Sequence, residues 1–164
     1  QLRVSDEGEI LVRGDTLFLG YLREDQSLDA ARDPEGWFAT GDLGALSPDG
    51  YLTVRGRRDN LFISGGENIH PEQIERALQA LDGVEQAVVV PVPDAEFGER
   101  PAAIVRGDWS AAAEWPVRLR ERLPGFMIPV AWLPWPDGLE ESMGKIDRPR
   151  LRTYARAGRE GASA

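Results

Sequence analysis

The 164-residue sequence has no cysteine, one histidine (His70) and one lysine (Lys145), so 18 of its 19 basic residues are arginine. Each scarcity removes a chemistry. Without cysteine there is no disulfide framework, thiol nucleophile or zinc–thiolate centre. One histidine cannot supply a two-histidine metal site, and any serine–histidine–acid triad would have to use His70. Ser64 lies six residues before it, but no nucleophile-elbow pattern surrounds that serine. No metal-ligating set is therefore expected. Long apolar runs are also missing, so no transmembrane segment is expected and a cytoplasmic location is the natural reading. The chain opens Gln1-Leu2-Arg3-Val4, with no methionine and no signal-peptide pattern, and reads as a start within a longer protein.

What is present describes an ordinary globular chain, with 41% hydrophobic and 29% charged residues. The net charge is −9, which argues against nucleic acid as a partner. The charge is graded: residues 1–56 carry 11 acids and 5 bases, whereas residues 108–164 carry 8 and 9. Arginines 148, 150, 152, 156 and 159 make a mildly basic tail, expected to be a solvated helix end.

Residues 1–56 read as short strands and turns. Glu9 to Arg13 is a strand closed by Gly14, Pro34-Glu35-Gly36 is a turn, and Ser47-Pro48-Asp49-Gly50 is a hairpin turn into Tyr51. The texture changes at Gly56. Leu61-Phe62-Ile63 reads as a strand running through paired glycines into a helix that begins at Pro71. Ile74, Ala77, Leu78 and Leu81 give that helix one buried face. Strands over 87–92, 101–105 and 130–133 and a helix over 116–123 follow. The order β, α, β, β, α, β predicts a small α+β domain with its helices on one side of a sheet.

Four places are more sharply specified. Thr40-Gly41-Asp42 reads as a turn presenting an acid, and a carboxylate can accept both hydrogen bonds of a vicinal diol. A purely structural turn aspartate would look the same. Gly56-Arg57-Arg58-Asp59 reads as a hinge or an ordinary linker. Ser64-Gly65-Gly66, between a strand and a helix, would admit close approach to a ligand or simply make a tight connection. Gly144-Lys145 puts the only lysine after a glycine in a late loop, where it is either a solvated side chain or a movable charge for phosphate oxygens. The stretch from Gly138 to Lys145 fails as a phosphate-binding loop, because five residues separate its glycines and Ile146 replaces Ser or Thr.

In their order and spacing these motifs resemble the adenylate-forming superfamily of acyl- and aryl-CoA synthetases, luciferase and peptide-synthetase adenylation domains. The resemblance runs through Trp37 to Asp42, Gly56 to Asp59, Ile63 to Ile69 with Glu72 to Glu75, and Gly144 to Ile146. Asn60 to Ile69, with Val90-Pro91-Val92 and Glu96-Phe97-Gly98, looks most like the o-succinylbenzoate–CoA ligases of menaquinone synthesis.

The resemblance implies an architecture. Residues 1–56 would be the β-rich end of a large N-terminal domain. Residues 57–155 would be a small mobile C-terminal domain with a central sheet and packed helices, and 156–164 a tail. It also implies an AMP-forming acid–CoA ligase reaction, with Mg–ATP, CoA and a carboxylic acid as substrates and no tightly bound cofactor. Asp42 inherits the ribose hydroxyls, Arg57 the nucleotide, and Asp59 the hinge. Gly65 and Gly66 inherit the pantetheine path, Phe97 the CoA nucleotide, and Lys145 the α-phosphate and carboxylate during adenylation. The family's phosphate loop, acid pocket and adenine motif have no counterpart here, so the segment alone is expected to be inert. Other aryl- or fatty-acyl-CoA synthetases, or a non-catalytic binding module, are the competing expectations.

Overall fold

The structure, a computed structural model, describes residues 1–138 and 146–162. It divides into two compact units, Gln1–Asn60 and Leu61–Ala164.

The first unit is β throughout, apart from a closing 3-10 turn, Arg58–Asn60. Four strands form an antiparallel sheet in the order β1 (Leu2–Val4), β2 (Glu9–Val12), β5 (Phe38–Leu46), β6 (Leu52–Arg57). Strands β3 (Gly20–Leu22) and β4 (Leu28–Ala30) pair separately. Ile10, Trp37 and Leu43 are its buried apolar side chains. Trp37 carries the guanidinium groups of Arg3 and Arg13 at 4.3 and 4.7 Å from its ring, so the arginines cover an aromatic that a small sheet cannot bury by itself.

The second unit is a five-stranded sheet built on β10 (Gly98–Gly107). Strand β9 (Val84–Asp94) pairs antiparallel along the whole of β10, and β11 (Ala131–Pro134) pairs parallel with residues 102–105. Strand β7 (Phe62–Ser64) joins β10 only at Gly98 and carries β8 (Glu67–Ile69) beyond it. Pro91 lies inside β9, directly opposite Pro101. Neither can donate, so this must be a non-hydrogen-bonded pair, the one place in an antiparallel ladder where two prolines cost no bond to each other.

Helices cover both faces of this sheet, not one. Val89, Ala103 and Val105 pack with Ile74 and Leu78 of α1 (Pro71–Gln79) and with Trp115 and Leu119 of α2 (Trp115–Arg120). Val88, Val90, Ala102 and Ile104 pack instead with Leu151 and Ala155 of α3 (Arg148–Ala162). The two-residue period of a strand sends alternate side chains to opposite faces, so near-continuous apolar runs mark strands buried on both.

Helix α3 is the correction. The basic tail is largely anchored, because its arginines are spaced to reach the sheet and α1. Arg152 pairs with Glu99, Arg159 pairs with Asp94 at 2.8 Å, and Arg148 pairs with Glu75 at 2.9 Å. Asp147 caps the helix by accepting the Arg150 amide at 3.0 Å.

Candidate functional site

Thr40-Gly41-Asp42 is not a free turn; it lies within β5. Glu9 pairs with Leu43 and Leu11 with Ala39, so Ile10 alone faces the three residues Thr40, Gly41 and Asp42. The chain bulges there, and Gly41 takes a φ of +73° that a side chain would strain. A Cβ at Gly41 would also stand 3.0 Å from the Arg57 guanidinium.

Side chains replace the ladder bonds that the bulge removes. The Thr40 hydroxyl donates to the Ile10 carbonyl (2.8 Å) and accepts the Asp42 amide (3.1 Å). The Gly41 amide donates to Glu9 Oε1 at 3.0 Å.

On the other edge of β5, Asp42 is the direct ladder partner of Arg57. The Arg57 guanidinium donates to Asp42 Oδ1 at 3.1 Å and to the Thr40 carbonyl at 2.9 Å. It also lies 3.8 Å from Asp59, whose side chain is 75% exposed. Asp42 and Arg57 are themselves 39% and 48% exposed. Such an exposed pair stabilises the fold by at most about 1 kcal/mol. Its consequence is positional: a carboxylate and a guanidinium stand side by side at the surface, the guanidinium tied also to the Thr40 carbonyl. The fold thus brings Asp42, Arg57 and Asp59 together.

The sequence pattern assigns no role to Glu9, and Arg58 enters it only as part of the Gly56–Asp59 motif. Glu9 is buried, and its second oxygen takes Arg58 at 2.7 Å. The only hint in the sequence is an acid at the first position of an apolar strand.

The paired glycines sit between two strands rather than between a strand and a helix. Ser64 pairs with Glu67, leaving Gly65 and Gly66 as a two-residue hairpin with φ of +58° and +88°. Positive φ at both central residues is the requirement of a type I′ turn, which glycine meets without steric cost. The Gly65 amide donates to the Phe97 carbonyl at 3.0 Å, and a Cβ at Gly65 would stand 2.7 Å from the Phe97 ring. Phe97 is 38% exposed, with the Arg100 guanidinium 5.0 Å from its ring centre. Gly65, Gly66 and Phe97 are therefore one cluster, although thirty residues of sequence separate them.

Phe97 is held by the loop it occupies. Asp94 Oδ1 accepts the amides of Glu96 and Phe97, and Oδ2 takes Arg159. The Arg159 guanidinium, followed by these amides, holds the Asp94 carboxyl below the usual carboxylate range.

Lys145 lies outside the described residues. Described residues on either side are tied together: Arg150 donates to the Gly138 carbonyl and Tyr154 to the Pro134 carbonyl. Arg148, three positions after Lys145, donates to both Glu75 and the Val89 carbonyl. Among the described residues no cluster of His, Asp and Glu could hold a metal ion, and no helix is long and apolar enough to cross a membrane.

Residues 73–150 match the AMP-binding enzyme C-terminal domain. The 2-succinylbenzoate–CoA ligase of Salmonella typhimurium is 43% identical over 159 residues, covering 94% of this chain and 33% of that protein. A propanoyl:CoA ligase of Rhodococcus jostii, acting on a methyl-dioxo-octahydroindenyl acid, is 39% identical over 79% of this chain and 26% of its own length. Among solved structures, an arginine-to-lysine variant of Escherichia coli MenE with bound OSB-AMS superposes with a TM-score of 0.79 at 37% identity. It covers 96% of this chain and 34% of that one. MenE from Bacillus subtilis in complex with the acyl-adenylate intermediate OSB-AMP gives 0.81 at 31% identity, covering 93% and 33%. The chain thus spans about a third of the length of the relatives it matches. Residues 73–150 carry the C-terminal domain of AMP-binding enzymes.

Proposed function

We propose that this chain is the C-terminal part of an AMP-forming acid–CoA ligase whose acid is o-succinylbenzoate, working in the cytoplasm in menaquinone biosynthesis. In the first step the acid's carboxylate attacks the α-phosphate of Mg–ATP. The bond to the β-phosphate breaks, giving acyl-adenylate and pyrophosphate. In the second step the CoA thiol attacks the acyl carbon, and AMP leaves.

Asp42 accepts hydrogen bonds from the ribose hydroxyls, and Arg57 contacts the nucleotide beside it. Lys145 stabilises negative charge gathering on the α-phosphate oxygens, more in the transition state than in the ground state. Asp59 is the hinge about which the smaller domain turns between the steps. That motion withdraws Lys145 and brings Gly65 and Gly66 to the pantetheine path, with Phe97 packing on the CoA nucleotide. The unit Gln1–Asn60 serves as the end of the larger domain and Leu61–Ala164 as the mobile one.

The observation that carries this reading is the surface pair Asp42–Arg57, opposed across β5 and β6 at the Thr-Gly-Asp bulge. It is supported by the identity to 2-succinylbenzoate–CoA ligases over nearly the whole chain. The relative that is 39% identical with a different acid keeps a second reading in play, another CoA ligase of the family.

The test is ATP–pyrophosphate exchange and thioester formation by the full-length protein on a panel of carboxylic acids. Exchange dependent on o-succinylbenzoate supports the reading. Exchange with a different acid alone selects the second reading, and exchange with none refutes both. The 164-residue segment by itself is expected to give no exchange.

A further inference from the structure

We propose that Glu9 is a positioning residue for the nucleotide-binding bulge and sets the ribose selectivity of the adenylation step. The inference rests on the reading that Asp42 binds the ribose. The bulge puts three residues of β5 opposite Ile10, so the Gly41 amide loses its ladder acceptor. Glu9 Oε1 supplies a replacement at 3.0 Å. A buried carboxylate is costly unless its oxygens are satisfied, and Arg58 takes the other oxygen at 2.7 Å.

One carboxylate therefore clamps the residue before Asp42 and the residue after Arg57. Both nucleotide-facing groups hang from it, although Glu9 itself is buried while they are exposed. Removing it leaves the Gly41 amide without its acceptor and frees Arg58. Gly41 can then leave its positive φ, and Asp42 moves with it. A shift of about 1 Å at a group that reads two hydroxyls is enough to lose discrimination.

The experiment uses the full-length protein and pyrophosphate exchange. It compares kcat/KM for ATP with that for 2′-deoxy- and 3′-deoxy-ATP. The ratio is independent of how much of a variant is folded, so a purely structural role would not move it. Asp42→Ala is expected to collapse the ratio, because the hydroxyls lose their acceptor. Glu9→Ala is expected to collapse it at least roughly tenfold. Glu9→Gln keeps an oxygen for the Gly41 amide and should stay within about threefold of the parent.

Adding Glu9→Ala to Asp42→Ala should change the ratio by less than about twofold, since both act on one contact. If Glu9→Ala does not fold, Arg58→Met, which removes the other anchor of the carboxylate, is read in the same way. A ratio unchanged in Glu9→Ala, or in Arg58→Met where it stands in, overturns the inference while Asp42→Ala still collapses it. An unchanged ratio in Asp42→Ala removes the ribose reading itself.

Discussion

Arg148→Met tests how the second unit is fastened. Arg148 joins the start of α3 to both α1 and β9: its guanidinium donates to Glu75 Oε2 at 2.9 Å and to the Val89 carbonyl at 3.2 Å. Glu75 is nearly buried, and its other oxygen accepts the Val89 amide at 2.8 Å. Methionine fills much of the arginine stem but leaves the Glu75 carboxylate with one donor and takes the cation away from Glu72, whose carboxylate stands 4.0 Å from it. Removing one partner of a fully buried pair costs about 3–5 kcal/mol. Arg148 keeps 24% of its side chain exposed, so water can reach part of the gap, and about 2–3 kcal/mol is the expected loss. With a urea slope of about 2 kcal/mol per molar, the midpoint falls by about 1–1.5 M. Four of the five tryptophans, at 109, 115, 132 and 135, lie in this unit, so indole fluorescence follows its unfolding. Adding Glu75→Gln to Arg148→Met replaces the stranded charge by a neutral amide that still accepts the Val89 N–H. It should recover about half of the loss. A single-variant loss below about 0.5 kcal/mol, or a double variant weaker than Arg148→Met, would refute the argument.

Lys145→Ala should abolish most acyl-adenylate formation in the full-length protein and leave thioester formation from supplied acyl-adenylate largely intact; equal loss in both half-reactions contradicts its assignment. Gly65→Ala and Gly66→Ala should differ. Both impose backbone strain of about 1 kcal/mol, but only the first drives a Cβ to 2.7 Å from the Phe97 ring. Gly65→Ala should therefore raise the KM for CoA several-fold more than Gly66→Ala, and equal effects would separate Phe97 from the CoA path. Asp94→Asn tests the ion pair with Arg159. The carboxyl value is depressed by folding, so its contribution is present above the ordinary 3.8 and lost as pH falls through the lower folded value. The stability gap between parent and Asp94→Asn, from urea titrations, should hold from neutrality to about pH 5 and close below pH 3.8. A gap unchanged to about pH 3 would mean the carboxylate charge contributes nothing.

What was legible in the sequence depended on range. Local signals held up: Pro71 opened a helix, Ile74 and Leu78 marked its buried face, and Ser47 to Gly50 made a hairpin turn. Failures came where a residue's meaning is set by a distant partner. Gly65 and Gly66 could make a hairpin, a helix entry or a ligand loop. Only the pairing of Ser64 with Glu67 and Gly98 decides for the hairpin. Thr40-Gly41-Asp42 has turn composition, yet it lies in a strand because Glu9, more than thirty residues earlier, satisfies the amide that a bulge would otherwise orphan.

The second face of the sheet was misjudged for a related reason. The apolar runs in β9 and β10 already required cover on both sides. The only segment left to provide it was the arginine-rich one, whose composition suggests solvent. The helical face formed by Leu151 and Ala155 settles the matter, being apolar at a spacing of four within the basic run. Arginine can flank a buried helix face because its stem packs while its head reaches an acid. Glu75, Glu99 and Asp94 wait at those positions. Many of the arginines hold fixed contacts: across the bulge, over Trp37 and along α3. A compact ammonium lacks the planar fork that can set two parallel bonds at once. The single lysine, Lys145, is the residue to which the proposed reaction assigns a movable charge.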